Sequence, residues 1–169
     1  MTIKEKRDFV KALMEFSSKL LGVEMLPINF DSEYINYPTK MGYNQTLRQY
    51  EVCEGIFDYC GFGEIIFIAT HETRHRWQEK YNKEEYFGND YKDETNEEYF
   101  YQLCEIDANA YAKIFLKEIF RGNTSSHQET ENRIKEIRNS FLEMLECVSQ
   151  KEIYKLFEKF QFARMNWNR

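Results

Sequence analysis

Two histidines four residues apart, His71 and His75, constrain this chain of 169 residues more than any other feature. They lie in a run from Glu64 to Tyr81 that contains no Gly or Pro, begins with closely spaced isoleucines and becomes charged toward its end. This pattern predicts a helix. Residues four positions apart lie one above the other on a helix. Both imidazoles are therefore expected to reach a single ion, at the ~2.0–2.1 Å typical of zinc.

The residue after the first histidine adds a chemical role. Glu72 completes the motif H-E-x-x-H, and its carboxylate points in a neighbouring direction, from which it reaches a water on the ion. Glu72 is thus the candidate general base. The alternative is a chance match in which Glu72 pairs with Arg76 at i,i+4. A random chain of this length contains the motif with a probability of roughly half a percent, so the motif favours a metal site.

A third ligand is expected downstream, because catalytic zinc takes three protein ligands and a water. The capping-box spacing Thr95-x-x-Glu98 predicts a helix that runs from Thr95 to Arg121. On this helix Glu105 shares a face with Asn109 and two alanines, whose small side chains would allow close approach to the histidine helix. Glu105 is therefore the preferred third ligand.

The roles of the remaining downstream candidates stay open. Asp107 lies about 200° round the helix from Glu105 and is the weaker candidate. His127 lies in a Ser/Thr-rich turn and is the minor alternative. Glu105 and Asp107 could instead be ordinary solvated side chains of an acidic protein.

The rest of the chain predicts an α+β fold that is mostly helical. Apolar residues recur every three or four positions over 3–21 and stop at Gly22, which predicts an N-terminal helix. Residues 23–53 roughly alternate, with Pro38 and Gly42 as interruptions, which predicts a small antiparallel sheet.

The remaining segments predict a turn, a loop and more helices. Residues 55–63 suit a turn or a short helix, and the acidic segment 82–94 is typical of a solvated loop. Apolar spacing over 134–148 and the capping-box spacing Ser149-x-x-Glu152 predict two C-terminal helices.

The composition is that of a globular protein, with 42% hydrophobic and 17% aromatic residues. We expect a single domain over residues 1–169, since a chain of this length buries roughly 70% of its unfolded surface. Its core would span about 1–121, and a helical extension about 129–165.

Charge and hydropathy exclude several classes. The net charge of −6 argues against nucleic-acid binding. Neither a signal-peptide apolar stretch nor the ~18 apolar residues of a spanning helix occurs, so we expect a cytoplasmic protein with no membrane partner. The cysteines are too widely spaced for a C-x2-C zinc site, which predicts reduced packing residues. They are Cys53, Cys60, Cys104 and Cys147.

The two motifs together resemble those of a known family. H-E-x-x-H, followed 30 residues after His75 by E-x-D-A-N-x-Y-A, is similar to the gluzincin zinc peptidases. It is most similar to the ImmA/IrrE-type minimal zincin domains, whose second motif typically reads E-x-E-A-N-x-F-A. The resemblance covers roughly residues 23–120. It implies an N-terminal helix, a short sheet whose edge strand aligns an extended substrate, and two helices that hold zinc through His71, His75 and Glu105, with Glu72 as acid and base.

Some positions depart from the family pattern. Arg74 stands where many zincins have Gly, and Asn109 where some gluzincins have an Asp that orients a histidine; an amide can still accept that hydrogen bond. Gln78, on the face of both histidines, and Arg74 could bind substrate or an oxyanion, with a helix–helix contact as the alternative. Tyr111 could line the site, although an aromatic there usually packs.

The sequence therefore predicts a zinc-dependent peptidase that hydrolyses a peptide bond with a metal-activated water. The alternative is a catalytically degenerate zincin that acts as a metal-binding regulatory or protein-interaction module; a helical protein with accidental motifs is a further rival. The expected partner is a peptide or protein, and the resemblance implies a specific regulator protein. No sequence feature indicates the oligomeric state.

Overall fold

The computed structural model describes residues 1–32, 40–88, 91–92, 98–122 and 125–167, and these form an α+β arrangement that is mostly helical. The helices are α1 (Ile3–Leu20), α2 (Ile56–Tyr59), α3 (Phe62–Phe87), α4 (Leu103–Phe120), α5 (Gln128–Glu146) and α6 (Gln150–Asn166). The strands are β1 (Ile28–Asn29), β2 (Met41–Asn44) and β3 (Gln49–Val52). None of the helices in these ranges is both long and apolar enough to cross a membrane.

Helix α1 confirms the N-terminal prediction. It begins at a capping box, in which the Thr2 hydroxyl accepts the Glu5 backbone N–H and the Glu5 carboxylate accepts the Thr2 N–H. The chain leaves the helix through Gly22, whose φ of 66° is a left-handed conformation that glycine adopts without strain. The apolar face of α1 packs against α3 and α6, which makes this helix a wall of the core.

The sheet is mixed, so the predicted antiparallel sheet is wrong in part. Its order is β1-β3-β2, with β2 antiparallel and β1 parallel to β3. The chain turns between β2 and β3 at residues 45–48, and β3 inserts between β2 and β1. A strand that inserts in this way can be antiparallel to one neighbour and parallel to the other. Gly42 lies inside β2 instead of ending a strand, and Pro38 lies outside the described residues.

Helix α3 extends beyond the predicted 64–81. It begins at Phe62 because the Glu64 carboxylate accepts the Gly61 N–H at 2.6 Å, which satisfies an N-terminal donor of the helix. Asn82 breaks the helical geometry with φ −144° and ψ 46°, but the chain resumes the helix up to Phe87. The predicted solvated loop over 82–94 is therefore wrong at its start.

Helix α4 begins later than predicted. Thr95 lies outside the described residues, and a 3-10 turn at Tyr99–Tyr101 precedes Leu103. Gln102 is extended there, and its side-chain amide bonds the backbone N–H and C=O of Lys92 at 2.9 and 2.7 Å. These two bonds fix Gln102 in its extended conformation, so the helix begins only at Leu103. The helix ends close to the predicted position, with Arg121 in a left-handed conformation.

The C-terminal helices confirm the predicted pattern and complete the core. Ser149 caps α6 by accepting the Glu152 N–H, and α5 packs along α4. The rings of Phe120 and Phe160 stack with centroids 4.2 Å apart, which joins α4 to α6. The extension therefore shares one apolar core with the rest of the described chain. All four cysteines are free thiols, although Cys147 is exposed and is not a packing residue.

Candidate metal centre

Helices α3 and α4 pack face to face and bring the two sequence motifs together. Ala108 and Ala112 on α4 are fully buried, as the small-residue face predicts. Helix periodicity places His71 and His75 on the same face of α3. Their Nε2 atoms lie 2.8 Å apart, with the ring planes nearly perpendicular at 85°. Both imidazoles thus present the same nitrogen to one point.

The Glu105 carboxylate lies beside the point that both Nε2 atoms face. One of its oxygens is 3.2 Å from His71 Nε2 and the other is 3.4 Å from His75 Nε2. A tetrahedral ion with bonds of ~2.0–2.1 Å keeps its ligand atoms roughly 3.3 Å apart. The two carboxylate distances match that edge, and the distance between the imidazoles is only about half an ångström shorter. These residues therefore fit zinc in donor type and in spacing.

Glu72 lies beside this group and is also close enough to coordinate. The ligand atoms of His71, Glu72 and His75 lie within 4.8 Å of one another, so these three could hold a metal ion. However, Glu72 Oε1 is 4.0 Å from His71 Nε2, farther than the Glu105 oxygen. Its other oxygen, Oε2, accepts the backbone N–H of Tyr43 on β2 at 2.8 Å. Strand β2 thus fixes Oε2 of Glu72, and Oε1 of the same carboxylate faces the imidazoles.

An amide oxygen lies next to the Nδ1 atom of each imidazole, on the opposite side of the ring from the candidate metal position. Asn109 Oδ1 lies 3.0 Å from His71 Nδ1, and Gln78 Oε1 lies 2.8 Å from His75 Nδ1. A carbonyl oxygen can only accept, so in the neutral form of each imidazole Nδ1 carries the proton and Nε2 is left to bind a cation. Such partners orient histidine ligands in metal sites. Gln78 is fully buried and faces His75, so it contacts the imidazole and not a substrate.

The charges of this group depend on burial and on one another. Burial raises the pKa of Glu72, and nearby Glu105 adds to this, while the two imidazoles and the Tyr43 N–H oppose it. Burial would also raise the pKa of Glu105, but its hydrogen bonds to both imidazoles outweigh burial and lower it. Burial lowers the pKa of His75, yet the Glu105 carboxylate raises it to about 9. The Glu105 carboxylate therefore favours a positive charge at the imidazoles, as it would favour a bound cation.

The site opens into a cavity of about 740 Å³. Strand β2 forms one wall, and the side chains of His71, Glu72, His75, Glu105 and Asn109 face into the cavity. Aromatic side chains form much of the remaining wall. They are Phe67, Phe87, Tyr91, Tyr99 and Phe100.

The sequence does not single out two tyrosines of this site. Tyr43 contributes its backbone N–H to Glu72, and Tyr99 comes from the 3-10 turn before α4. Burial and the neighbouring Glu105 raise the pKa of Tyr99, so its phenol stays protonated. The run Tyr99-Phe100-Tyr101 beside an acidic connector is the signal that could have indicated an aromatic wall. Phe87 and Tyr91 also line the cavity, although Tyr91 is 42% exposed, as a solvated connector predicts.

Of the two roles left open for Arg74, the structure shows the helix–helix contact. The Arg74 guanidinium binds both oxygens of Asp107 at 2.7 and 3.2 Å and lies 3.6 Å from the ring centroid of Trp77. Arg74 therefore belongs to the buried interface between α3 and α4. Asp107 is 0% exposed and paired with arginines, so it is neither a ligand nor a solvated acid.

His127 and Arg76 also lie outside the imidazole–carboxylate group. His127 is exposed at the start of α5, where its ring contacts Tyr101, so it is not the third ligand. Arg76 pairs with Glu79 at 2.6 Å. The i,i+4 pair that would have explained Glu72 is therefore replaced by an i,i+3 pair.

Tyr111 packs in the core instead of lining the cavity. Its hydroxyl lies 3.0 Å from Ser17 Oγ, which also bonds Thr73. We expect Tyr111→Phe to lower the free energy of unfolding by about 0.5–1.5 kcal/mol, because one hydrogen bond is lost and Ser17 keeps its other partner. Urea unfolding measures this loss. Metal analysis should show an unchanged zinc content, and reduced zinc would contradict the purely structural role.

No family model, curated protein or solved structure matches this chain.

Proposed function

We propose that this chain is a zinc-dependent peptidase of the zincin type. One observation carries the proposal: the imidazoles of His71 and His75 and the carboxylate of Glu105 converge on one point, with Glu72 beside them, in the wall of an open cavity. Two neutral nitrogen donors and one carboxylate are the ligand set of a common class of catalytic zinc sites. The order of elements, with an N-terminal helix, a small sheet, a histidine helix and a glutamate helix, agrees with the family that the motifs resemble.

In this proposal Glu72 moves the proton. The ion, when bound, supplies Lewis acidity that activates water and polarises a carbonyl. Glu72 Oε1 accepts the proton of the water and returns it to the leaving amine. Burial favours this role because it raises the pKa of Glu72 toward the range in which a carboxylate both accepts and releases a proton. The Tyr43 N–H keeps Oε2 in place, so that Oε1 is the oxygen that acts.

The cavity fits an extended peptide. Lys40 C=O accepts the Cys53 N–H, so even-numbered residues of β2 bond to β3 and the backbone groups of Met41 and Tyr43 point outward. Tyr43 N–H already meets Glu72 on that side. The other outward groups can hydrogen-bond a substrate strand, a common mode of peptide binding. The aromatic wall then suits a large apolar side chain of that strand.

Digestion of a peptide library tests the proposal. The zinc-loaded chain is incubated with peptides of mixed sequence, and the cut sites are mapped by mass spectrometry. We expect cleavage next to large apolar residues, dependent on zinc and absent after chelation. Zinc binding without cleavage of peptides or of folded proteins would contradict the peptidase and favour a metal-binding interaction module.

Phe100 is expected to contribute to substrate affinity. Phe100 is 66% exposed and lines the cavity, so its ring is open to the side chain of a bound peptide. We expect Phe100→Ala to raise KM by about 2–10-fold for substrates with an aromatic residue, with kcat unchanged, because one ring–ring contact contributes about 0.5–1.5 kcal/mol. Steady-state kinetics on a mapped substrate measure it. Tyr59→Ala is the control, since Tyr59 is 70% exposed on α2 and away from the cavity; equal effects of the two changes would contradict this role.

A further inference from the structure

The side-chain amide of Gln78 has one possible orientation. Its Nε2 donates to the Cys104 carbonyl and to Asp107 Oδ2, each at 2.9 Å, which uses both N–H groups. The reversed amide would place its oxygen against a carbonyl and a carboxylate, and no donor would meet them. The oxygen Oε1 must therefore face His75 Nδ1, at 2.8 Å. Asp107 and the Cys104 carbonyl together thus decide which atom of Gln78 faces the imidazole.

This orientation determines the tautomer of His75. Because Gln78 Oε1 can only accept, the proton must lie on Nδ1. In the neutral imidazole, the form that binds a metal ion, the lone pair then lies on Nε2, which is directed at the point shared with His71 and Glu105. A reversed Gln78 would favour a lone pair on Nδ1 and a proton on Nε2, which cannot bind a metal ion.

Asp107 itself is held by arginines from two helices. Arg74 on α3 binds both of its oxygens, and Arg133 on α5 donates from Nε to Oδ1 at 2.8 Å. The carboxylate is 0% exposed, so it needs these cations to remain charged in the core. The guanidinium of Arg133 also donates to the Tyr86 hydroxyl at 2.9 Å. Through Asp107 and Gln78, Arg133 thereby connects helix α5 to the Nδ1 side of His75.

We propose that Arg133 and Asp107 are positioning residues of the metal centre, which act through the amide of Gln78 to hold His75 in its metal-binding tautomer. The inference rests on the proposed zinc site and goes beyond it. It makes α5 part of the machinery that maintains the site, although this helix lies outside the segment that carries the family motifs. A change of α5 that moves Arg133 would alter zinc affinity without contact to any ligand.

Matched arginine variants on α5 test this role. The Arg133 side chain is 22% exposed, so Arg133→Met keeps most of the packing and the fold. Arg138→Met is the control, because Arg138 pairs with Glu118 on α4 and not with Asp107. Zinc affinity is measured by competition with a chromophoric chelator. We expect Arg133→Met to weaken zinc binding by up to about 10-fold, the lower end of the range for changes to the partners of metal-bound histidines, and Arg138→Met to leave it unchanged.

A double-mutant cycle separates positioning from general stability. Gln78→Met removes the acceptor of the Nδ1 proton and is expected to weaken zinc binding by about 10–100-fold. If Arg133 acts through Gln78, the double variant binds zinc no more weakly than Gln78→Met alone. Additive losses would overturn the proposal, and so would equal zinc affinity of Arg133→Met and Arg138→Met.

A spectroscopic signature covers the case in which Gln78→Met does not fold. In zinc-loaded wild-type and Arg138→Met proteins, ¹⁵N-resolved spectra should show a slowly exchanging Nδ1–H proton of His75. In Arg133→Met this signal should exchange faster, and its unchanged persistence would overturn the proposal. A wild-type chain that binds no zinc would overturn the metal centre itself, an outcome distinct from failure of the positioning role in a chain that does bind zinc.

Discussion

Glu72→Gln is expected to lower kcat for peptide cleavage by about 10²–10⁴-fold while the chain keeps one zinc ion. The amide cannot take a proton from water, but its oxygen can still accept the Tyr43 N–H that holds the side chain in place. Ligand positions should therefore be unchanged. The measurement combines the cleavage rate of a mapped peptide with metal analysis of the same protein.

Glu79→Gln is the matched control for this change. Glu79 is on the same helix and also contacts Tyr43, through the phenol, yet its carboxylate binds Arg76 and does not face the imidazoles. Its cleavage rate should stay near that of the wild type. A Glu72→Gln protein that cleaves as fast as the wild type would show that Glu72 is not the base.

His75→Ala is expected to lose zinc. Structural zinc sites of zinc fingers contribute about 10–16 kcal/mol through four ligands, so one ligand supplies about 2.5–4 kcal/mol, or roughly 10²–10³-fold in affinity. The variant should release zinc on dialysis against a chelator. Added zinc should also raise Tm of the wild type, since a ligand that binds only the folded state stabilises it, and this shift should be absent from the variant. Metal analysis and thermal unfolding measure the two effects.

His127→Ala provides the control, because His127 is exposed on α5 and belongs to the same residue type. It should keep its zinc and its zinc-dependent rise in Tm. Loss of zinc from His127→Ala would contradict Glu105 as the third ligand. Retention of zinc by His75→Ala, with wild-type affinity, would contradict the proposed centre.

The helices and the histidine pair follow from local information. Apolar spacing and capping residues act within a few positions of one another, and they predict α1, most of α3 and the last two helices within a few residues. The spacing of His71 and His75 places both on one helical face whatever surrounds it. The small-residue face of α4 similarly indicates Glu105, because close helix packing requires alanines beside it.

The surroundings of that pair depend on residues distant in sequence. Arg74 adjoins His75 along the chain, but the guanidinium of Arg74 lies in the helix interface because it pairs with Asp107 on α4. No local pattern reveals this pairing, because an acidic chain offers many carboxylates and only packing selects one. The same holds for the Tyr43 N–H, which meets Glu72 because β2 lies at the sheet edge beside α3.

The chemistry of the site thus has two origins. Helical periodicity, which arises from backbone geometry within a single turn, is enough to propose the ligands and the base by residue type and spacing. The orientation of Gln78, the burial that raises the pKa of Glu72 and the aromatic wall arise from contacts between elements that are far apart in the chain. Such contacts depend on how whole helices and strands pack, because each is one of many pairings that the same local pattern allows.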